Sequence, residues 1–290
     1  MSHNITVEAG ASVRLPTAGK YCDRDIVVTA TGGSGGAGDG SGGWDGQYTQ
    51  DGRINQITVG NFAFYNSDYI KLVTLANCGS VGSFAFYGCS NLKTVNVHGD
   101  NILTVYEHAF ANCQSLETAS LGDISDVPVG CFQDCENLIS VSLTRLDVGG
   151  NVCNIHKIDN YAFDNCVKLT EIKGDGTADA IGCENVYPCA FTGCSSLKKI
   201  HFYGCEHIYN EAFSGCTNLT TLILRGNSIC EIALNAFINT PMLTGEGHIY
   251  ISSSMYESYR TAYEAVINEL MPGFFDILFR KIEDYPEICG

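Results

Sequence analysis

The chain has 290 residues, 32 acidic and 16 basic, for a net charge of −16. A surface that acidic repels phosphate, which argues against sequence-independent nucleic-acid binding and against a basic membrane footprint. An apolar fraction of 45% with 17% charged residues excludes wholesale disorder, and no apolar run approaches the roughly 18 residues that a bilayer-spanning helix needs, so no membrane insertion is expected.

In chain order, residues 4–31 hold short alternating runs (Ile5/Val7, Val13/Leu15, Ile26/Val28) separated by turn residues, so residues 1–31 read as a small β module. The first ten residues have neither a basic start nor an apolar stretch. No signal peptide is therefore expected, and the 15 cysteines are expected to be thiols in a cytoplasm. Residues 32–46, GGSGGAGDGSGGWDG, read as a flexible linker.

A repeat fills residues 47–251. Ala-Phe, or once Cys-Phe, places phenylalanine at Phe64, Phe86, Phe110, Phe132, Phe163, Phe191, Phe213 and Phe237. The period is roughly 22–24 residues, within the range of short solenoid repeats. Two insertions interrupt it, one between Phe132 and Phe163 and one between Phe163 and Phe191. Five residues before each phenylalanine stands Val or Ile. Three residues after it come Cys89, Cys113, Cys135, Cys166, Cys194 and Cys216, and six after it Ile or Leu. Each unit then ends in an alternating pair such as Val95/Val97 or Leu222/Leu224, which predicts a strand with one apolar face. The Ala-Phe-x-x-Cys stretch suits one helical or 3₁₀ turn. No unit can bury its own phenylalanine and leucines, whereas stacked units form one apolar column, a solenoid.

After the repeat, Ser252 to Ser254 can cap a helix running from about Met255 to Leu270, with Met255, Tyr259, Ala262, Tyr263 and Val266 at helical spacing. Residues 252–290 thus read as a helical cap and tail. The apolar run GFFDILFRKI within them is expected to dock on that cap, or else to make a subunit contact.

These motifs resemble the leucine-rich repeat proteins of the BspA-like, or Treponema pallidum, type, whose unit is roughly C-x-x-L-x-x-I-x-L-P…I-x-x-x-A-F-x-x-C. The resemblance covers residues 57–251, about two-thirds of the chain. It implies an α+β repeat fold, a leucine-rich-repeat solenoid of about eight units of roughly 22–24 residues, with short strands and helical or 3₁₀ turns. The proline that usually follows the strand is missing, and Ser67 and Thr240 replace the cysteine in the first and last units. Residues 4–31 resemble a short N-terminal segment of phage and prophage structural proteins of gut Firmicutes. The segment after Ile249 resembles the IYVP…Y…A cap of phage-encoded repeats, with Ser252 at the proline position.

Enzymatic chemistry finds little footing. Cysteines in one column point the same way, and their total is odd, so a disulfide framework is not expected. Cys131-x-x-x-Cys135 and the Cys183, Cys189, Cys194 group lack the C-x-x-C spacing of a zinc site, and Cys131 only replaces the repeat's alanine. The G-x-G-x-x-G match at Gly38–Gly43 and the G-x-S-x-G match at Gly32–Gly36 lie in the linker, without the strand and helix their chemistry requires. The seven histidines are scattered. No catalytic residue, metal or cofactor is expected.

Binding is the better expectation. Residues between and beside each inward pair line up across the strands. One outward row reads Leu72, Thr94, Thr118, Ser140, Glu171, Lys199, Thr221; the next reads Thr74, Asn96, Ser120, Ser142, Lys173, His201, Ile223; the third reads Ala76, His98, Gly122, Thr144, Asp175, Tyr203, Arg225. The later rungs gather Glu171, Lys173, Lys199, His201, Tyr203 and Arg225, which form the candidate ligand patch. The bland reading is that threonine suits an exposed strand and the charges keep the face soluble. The insertions at 147–156 and 173–184 are further candidates.

The two ends favour a phage or prophage tail-associated adhesin in the virion. Its N-terminal module would join other tail proteins, with a possible homo-oligomer, and its repeats would meet a bacterial cell-surface glycan or protein. The alternatives are a bacterial cell-surface adhesin that binds host matrix or other cells, and a cytoplasmic interaction scaffold.

Overall fold

A computed structural model describes residues 3–8, 26–31, 44–47, 56–68, 70–75, 78–144, 154–174 and 180–289. The glycine-rich stretch 32–43 with its two motif matches, residues 147–153 and 175–179 of the insertions, and Ala76 and Asp175 of the outward rows lie outside the described residues.

Each repeat contributes two strands. The front strands carry the period-2 runs: Ile70–Leu75, the first part of Thr94–Val105, Thr118–Ile124, Ser140–Leu143, Glu171–Lys173, Lys199–Tyr203, Thr221–Arg225 and His248–Ile251. The rear strands hold the β-branched residue that precedes each phenylalanine, as in Cys78–Val81, Ile155–Ile158, Ile181–Val186 and Glu231–Ile232. Within the repeats every recorded strand pairing is parallel, as a coil that rises one rung per repeat requires. Thr94–Val105 and Ile181–Val186 each pair at one end in the front sheet and at the other in the rear sheet. The result is a β-solenoid.

The turn between rear and front strands differs from the expected helical turn. In the second repeat, Ala85 N–H donates to Gly82 O, Tyr87 N–H to Phe84 O and Cys89 N–H to Phe86 O, three overlapping β-turns rather than a helix. The reason lies on both sides of each phenylalanine. Two residues beyond it, Asn66, Gly88, Asn112, Asp134, Asn165, Gly193, Gly215 and Asn239 all have φ between 54° and 72°. Two residues before it, in every repeat but the last, Phe62, Phe84, His108, Gly130, Tyr161, Cys189 and Glu211 have φ between 53° and 59°. Gly, Asn and Asp tolerate that left-handed conformation best, and it breaks any helical run. Among the described turns, a 3₁₀ helix forms at the repeat phenylalanine only in the last repeat, Leu234–Phe237.

The eight phenylalanine rings stack along the core, with centroids 5.0 to 5.7 Å apart and planes within 12° of parallel. Phe86, Phe110, Phe132, Phe163, Phe191 and Phe213 are fully buried, as are Cys89, Cys113, Cys135, Cys166, Cys194 and Cys216. Each of these thiols donates to the carbonyl of the phenylalanine one rung earlier at 3.1 Å, from Cys89 to Phe64 through Cys216 to Phe191.

Both ends of the stack are extended by further strands. Ile26–Thr31 pairs in parallel with Ile70–Leu75, His3–Glu8 pairs with Ile26–Thr31, and Trp44–Gln47 runs antiparallel to Gln56–Val59. At the other end, α1 (Ser253–Leu270) starts at Ser252, whose side chain accepts from Ser254 N–H. The short α2 (Phe275–Leu278) leads into a strand, Phe279–Lys281, that pairs with His248–Ile251. Phe274, Phe275, Leu278 and Phe279 are buried in the main core, so the apolar run packs on the chain's own end. Among the described residues no helix is long and apolar enough to cross a membrane.

Candidate functional site

The front sheet aligns the outward rows through its register. Leu72, Thr94, Thr118, Ser140 and Glu171 are successive partners, as are Thr74, Asn96, Ser120, Ser142 and Lys173. From Thr94 to Ser142 these side chains are half-exposed or exposed. They form a nearly uncharged field of hydroxyls and one amide, in which Thr118 Oγ1 lies 3.4 Å from Thr94 Oγ1. His98 stands at its margin opposite Gly122, where an added Cβ would lie 2.5 Å from His98 Nδ1. Such a surface can donate and accept hydrogen bonds without a large desolvation cost, which suits broad contact with a protein or a glycan.

The predicted charged patch does not form one open surface. Glu171 and Lys173 pair with each other at 3.2 Å and are exposed. The strand Lys199–Tyr203 finds its recorded partners in Thr221–Arg225 and in Ile181–Val186, so the insertion's strand lies against it. Tyr203 is 55% exposed and lies in register with half-buried Arg225. His201, expected to face outward, is only 3% exposed, and its row partners Ile223 and Tyr250 are buried as well.

The C-terminal tail is the cause. The ring of Tyr285 meets that of Tyr250 edge-on at 5.4 Å, and Lys199 Nζ donates to Ile288 O at 2.7 Å. Residues 285–288 therefore cross the outward face of the last three front strands, over Ile223 and His201. Glu283 anchors the crossing: Ser253 N–H and Ser253 Oγ donate to its Oε2 at 2.8 and 2.6 Å, at the start of α1. These hydrogen bonds hold its carboxyl below the usual glutamate range. Nothing in the repeat pattern signals this cover, because the tail has no repeat.

Two further surface features escaped sequence reasoning. Phe62, Phe84 and His108 stack at 5.3 and 4.9 Å on the outside of the first turns, beside a Tyr65–Tyr87 stack at 5.2 Å. Their signal was an aromatic residue or histidine two before the repeat phenylalanine. The rear sheet carries a polar row in which Lys157 Nζ meets buried Asp159 at 2.6 Å, and His207 lies 3.0 Å from Asn185 and 3.4 Å from Glu231. The Asp159 hydrogen bond pushes the Lys157 ammonium up. These groups answer one another's charges. Among the described residues no three His, Cys, Asp or Glu side chains are grouped to hold a metal ion. Burial pushes the Cys113, Cys131, Cys166, Cys183 and Cys194 thiols well up, and that of Cys78 to about 12, so they stay protonated at neutral pH.

The parallel coil, the phenylalanine stack and the cysteine column coincide with a known repeat. The profile of the BspA type leucine-rich repeat region matches residues 57–181 and 152–268. The chain belongs to this family. No curated protein matches it. Among solved structures, it is similar to a leucine-rich cell surface protein of Faecalibacterium prausnitzii, at 17% identity over 72% of this chain and 80% of that one, with a TM-score of 0.30. A leucine-rich repeat protein of T. pallidum shares 22% identity over 60% of this chain and 78% of that one, with a TM-score of 0.33. A leucine-rich repeat protein of Bacteroides ovatus shares 17% over 96% and 92%, with a TM-score of 0.23. The family assignment rests on the repeat sequence.

Proposed function

We propose that this family member is a non-enzymatic adhesion protein of a bacterial surface, which holds a protein or glycan partner on the front sheet of its earlier rungs. One observation carries this reading. The rows Thr94–Thr118–Ser140 and Asn96–Ser120–Ser142 are solvent-accessible and in register, whereas the second row continues on the last rungs as His201, Ile223 and Tyr250, all buried where the tail crosses. The contact surface thereby moves from the predicted Lys199–Arg225 patch to the hydroxyl field, with Glu171 and Lys173 at its edge. The phage-tail reading stands on the resemblance of the two ends alone, and the family match at 57–268 supports only the repeats between them.

Binding of the labelled full chain to a panel of intact bacteria, epithelial cells and matrix proteins tests the proposal. Thr118→Arg with Ser120→Arg is expected to lower binding at least tenfold, and Lys199→Glu with Arg225→Glu less than threefold. Equal binding by the parent and the Thr118/Ser120 variant would remove the front sheet from the account. Binding confined to particular bacterial strains would instead favour the phage-tail reading.

A further inference from the structure

We propose that Cys205 and Cys230 are a thiol pair that closes into a disulfide under oxidising conditions and staples the last repeat and its cap. Their sulfurs lie 3.7 Å apart. The other cysteines with a recorded thiol hydrogen bond have closer oxygen partners. The six column thiols each have a carbonyl at 3.1 Å, and Cys78 and Cys183 have Ser80 O and Asn185 O at 3.4 and 3.3 Å. Cys205 reaches His207 O only at 3.7 Å and Cys230 reaches Glu231 O only at 4.0 Å.

The sequence explains why this pair differs. Cys78, Cys183 and Cys205 stand three residues before Val81, Val186 and Ile208, in one column whose side chains point the same way. Cys230 stands two residues before Ile232. Because His207 and Ile208 pair with Glu231 and Ile232, Cys230 is offset by one residue from the column and its sulfur reaches across to Cys205. Bond formation needs the sulfurs to approach to about 2.05 Å, a shift of under 2 Å shared by two χ1 rotations.

The cap holds one partner in place. Cys230 N–H donates to Tyr259 Oη at 2.8 Å, and Tyr263 Oη donates to Cys230 O at 2.9 Å, both tyrosines being on α1. Cys205 is the less deeply buried partner, 5% exposed against 1% for Cys230, and it lines a shallow depression with Leu224, Arg225, Ser228, Met255 and Tyr259. With a small disulfide such as oxidised glutathione as oxidant, the Cys205 thiolate attacks one sulfur and releases one small thiol. The Cys230 thiolate then displaces the second. The protein loses two protons and two electrons, and the small disulfide becomes two thiols. The Cys230 thiol and burial together push the Cys205 thiol up, so closure is slow and waits for a supplied oxidant. The bond closes residues 205–230 into a loop and opposes unzipping from the C-terminal end, which is where a solenoid frays when its cap lifts.

The test uses the full chain, folded and incubated with oxidised or reduced glutathione, then alkylated at acid pH and mapped by mass spectrometry. Expected is a Cys205–Cys230 cross-linked peptide as the dominant linkage, with Tm raised by roughly 5 °C and the rise reversed by reductant. Cys205→Ser is expected to abolish both changes while leaving the reduced protein folded by circular dichroism. Absence of the linked peptide from folded, oxidised protein would overturn the pairing. The linked peptide without a rise in Tm would overturn the staple.

Discussion

The thiol of Cys113 donates to the carbonyl of Phe86 at 3.1 Å, and Phe86 N–H donates to Ala109 O in the same neighbouring rung at 2.8 Å. The six phenylalanines from Phe64 to Phe191 are thus held at both backbone groups by the next repeat while their rings stack in the core. This double tie explains why the column holds cysteine, a small side chain that fills space and still donates.

Cys113→Ala removes the donor and leaves a small void, for an expected loss of about 2 kcal/mol in urea denaturation. Cys113→Ser keeps a donor in the same place and is expected to cost about 1 kcal/mol. Equal losses would show that the thiol only fills space.

Phe132 sits between Phe110 and Phe163, at 5.7 and 5.5 Å. Phe132→Ala is expected to cost about 4 kcal/mol. Because each rung contacts only its neighbours, the unfolding curve should split into two transitions, visible by hydrogen exchange as separate protection of the two halves. A single shifted transition would mean that coupling spans the whole stack.

Gly193 has φ +72°, and an added Cβ would meet Asn165 Cα at 3.6 Å, an ordinary contact. Gly193→Ala therefore tests backbone conformation alone and should cost about 1 kcal/mol, read from the denaturation midpoint. Gly193→Asn should recover most of it.

How far the sequence could be read follows from these residues. Phe132 and Cys113 recur at fixed offsets, so their burial was legible without coordinates. Part of the turn geometry was legible too, in the Gly, Asn or Asp two places after every phenylalanine. The left-handed residue two places before it was not, since Phe84, His108 and Glu211 carry no turn signature, and Ala-Phe-x-x-Cys read alone suggested a helical turn. The burial of His201 was not legible. Its row alternates outward like its neighbours, and the segment that covers it, Tyr285 to Ile288, lies far along the chain and carries no repeat. The Phe62–Phe84–His108 stack was missed because only the most regular columns were read, and this one keeps a ring in the first three repeats before Gly130 takes its place.

Glu283 ties the tail to α1, and its folded pKa lies below the ordinary 4.5. A depressed carboxylate contributes stability above the unfolded pKa and loses it as pH falls through the folded value. The tail is thus expected to loosen below about pH 4.5, followed by the NMR signals of Tyr285. Glu283→Gln should loosen it at neutral pH and flatten the dependence.

Deleting residues 282–290 should uncover Ile223, Tyr250 and His201. Expected is a several-fold rise in binding of a hydrophobic dye, with far-UV circular dichroism of the repeats unchanged. No rise would mean that the face beneath is closed by other groups.

The claim that a partner rests on the hydroxyl field is tested most directly by a hydrogen-exchange footprint of the full chain on its bound cells or matrix ligand. The expected result is protection of residues 94–98, 118–122 and 140–144, with the turns around Phe132 and Phe163 unchanged. Protection confined to the turns, the rear sheet or α1, with the front strands exchanging as in the free protein, would contradict it.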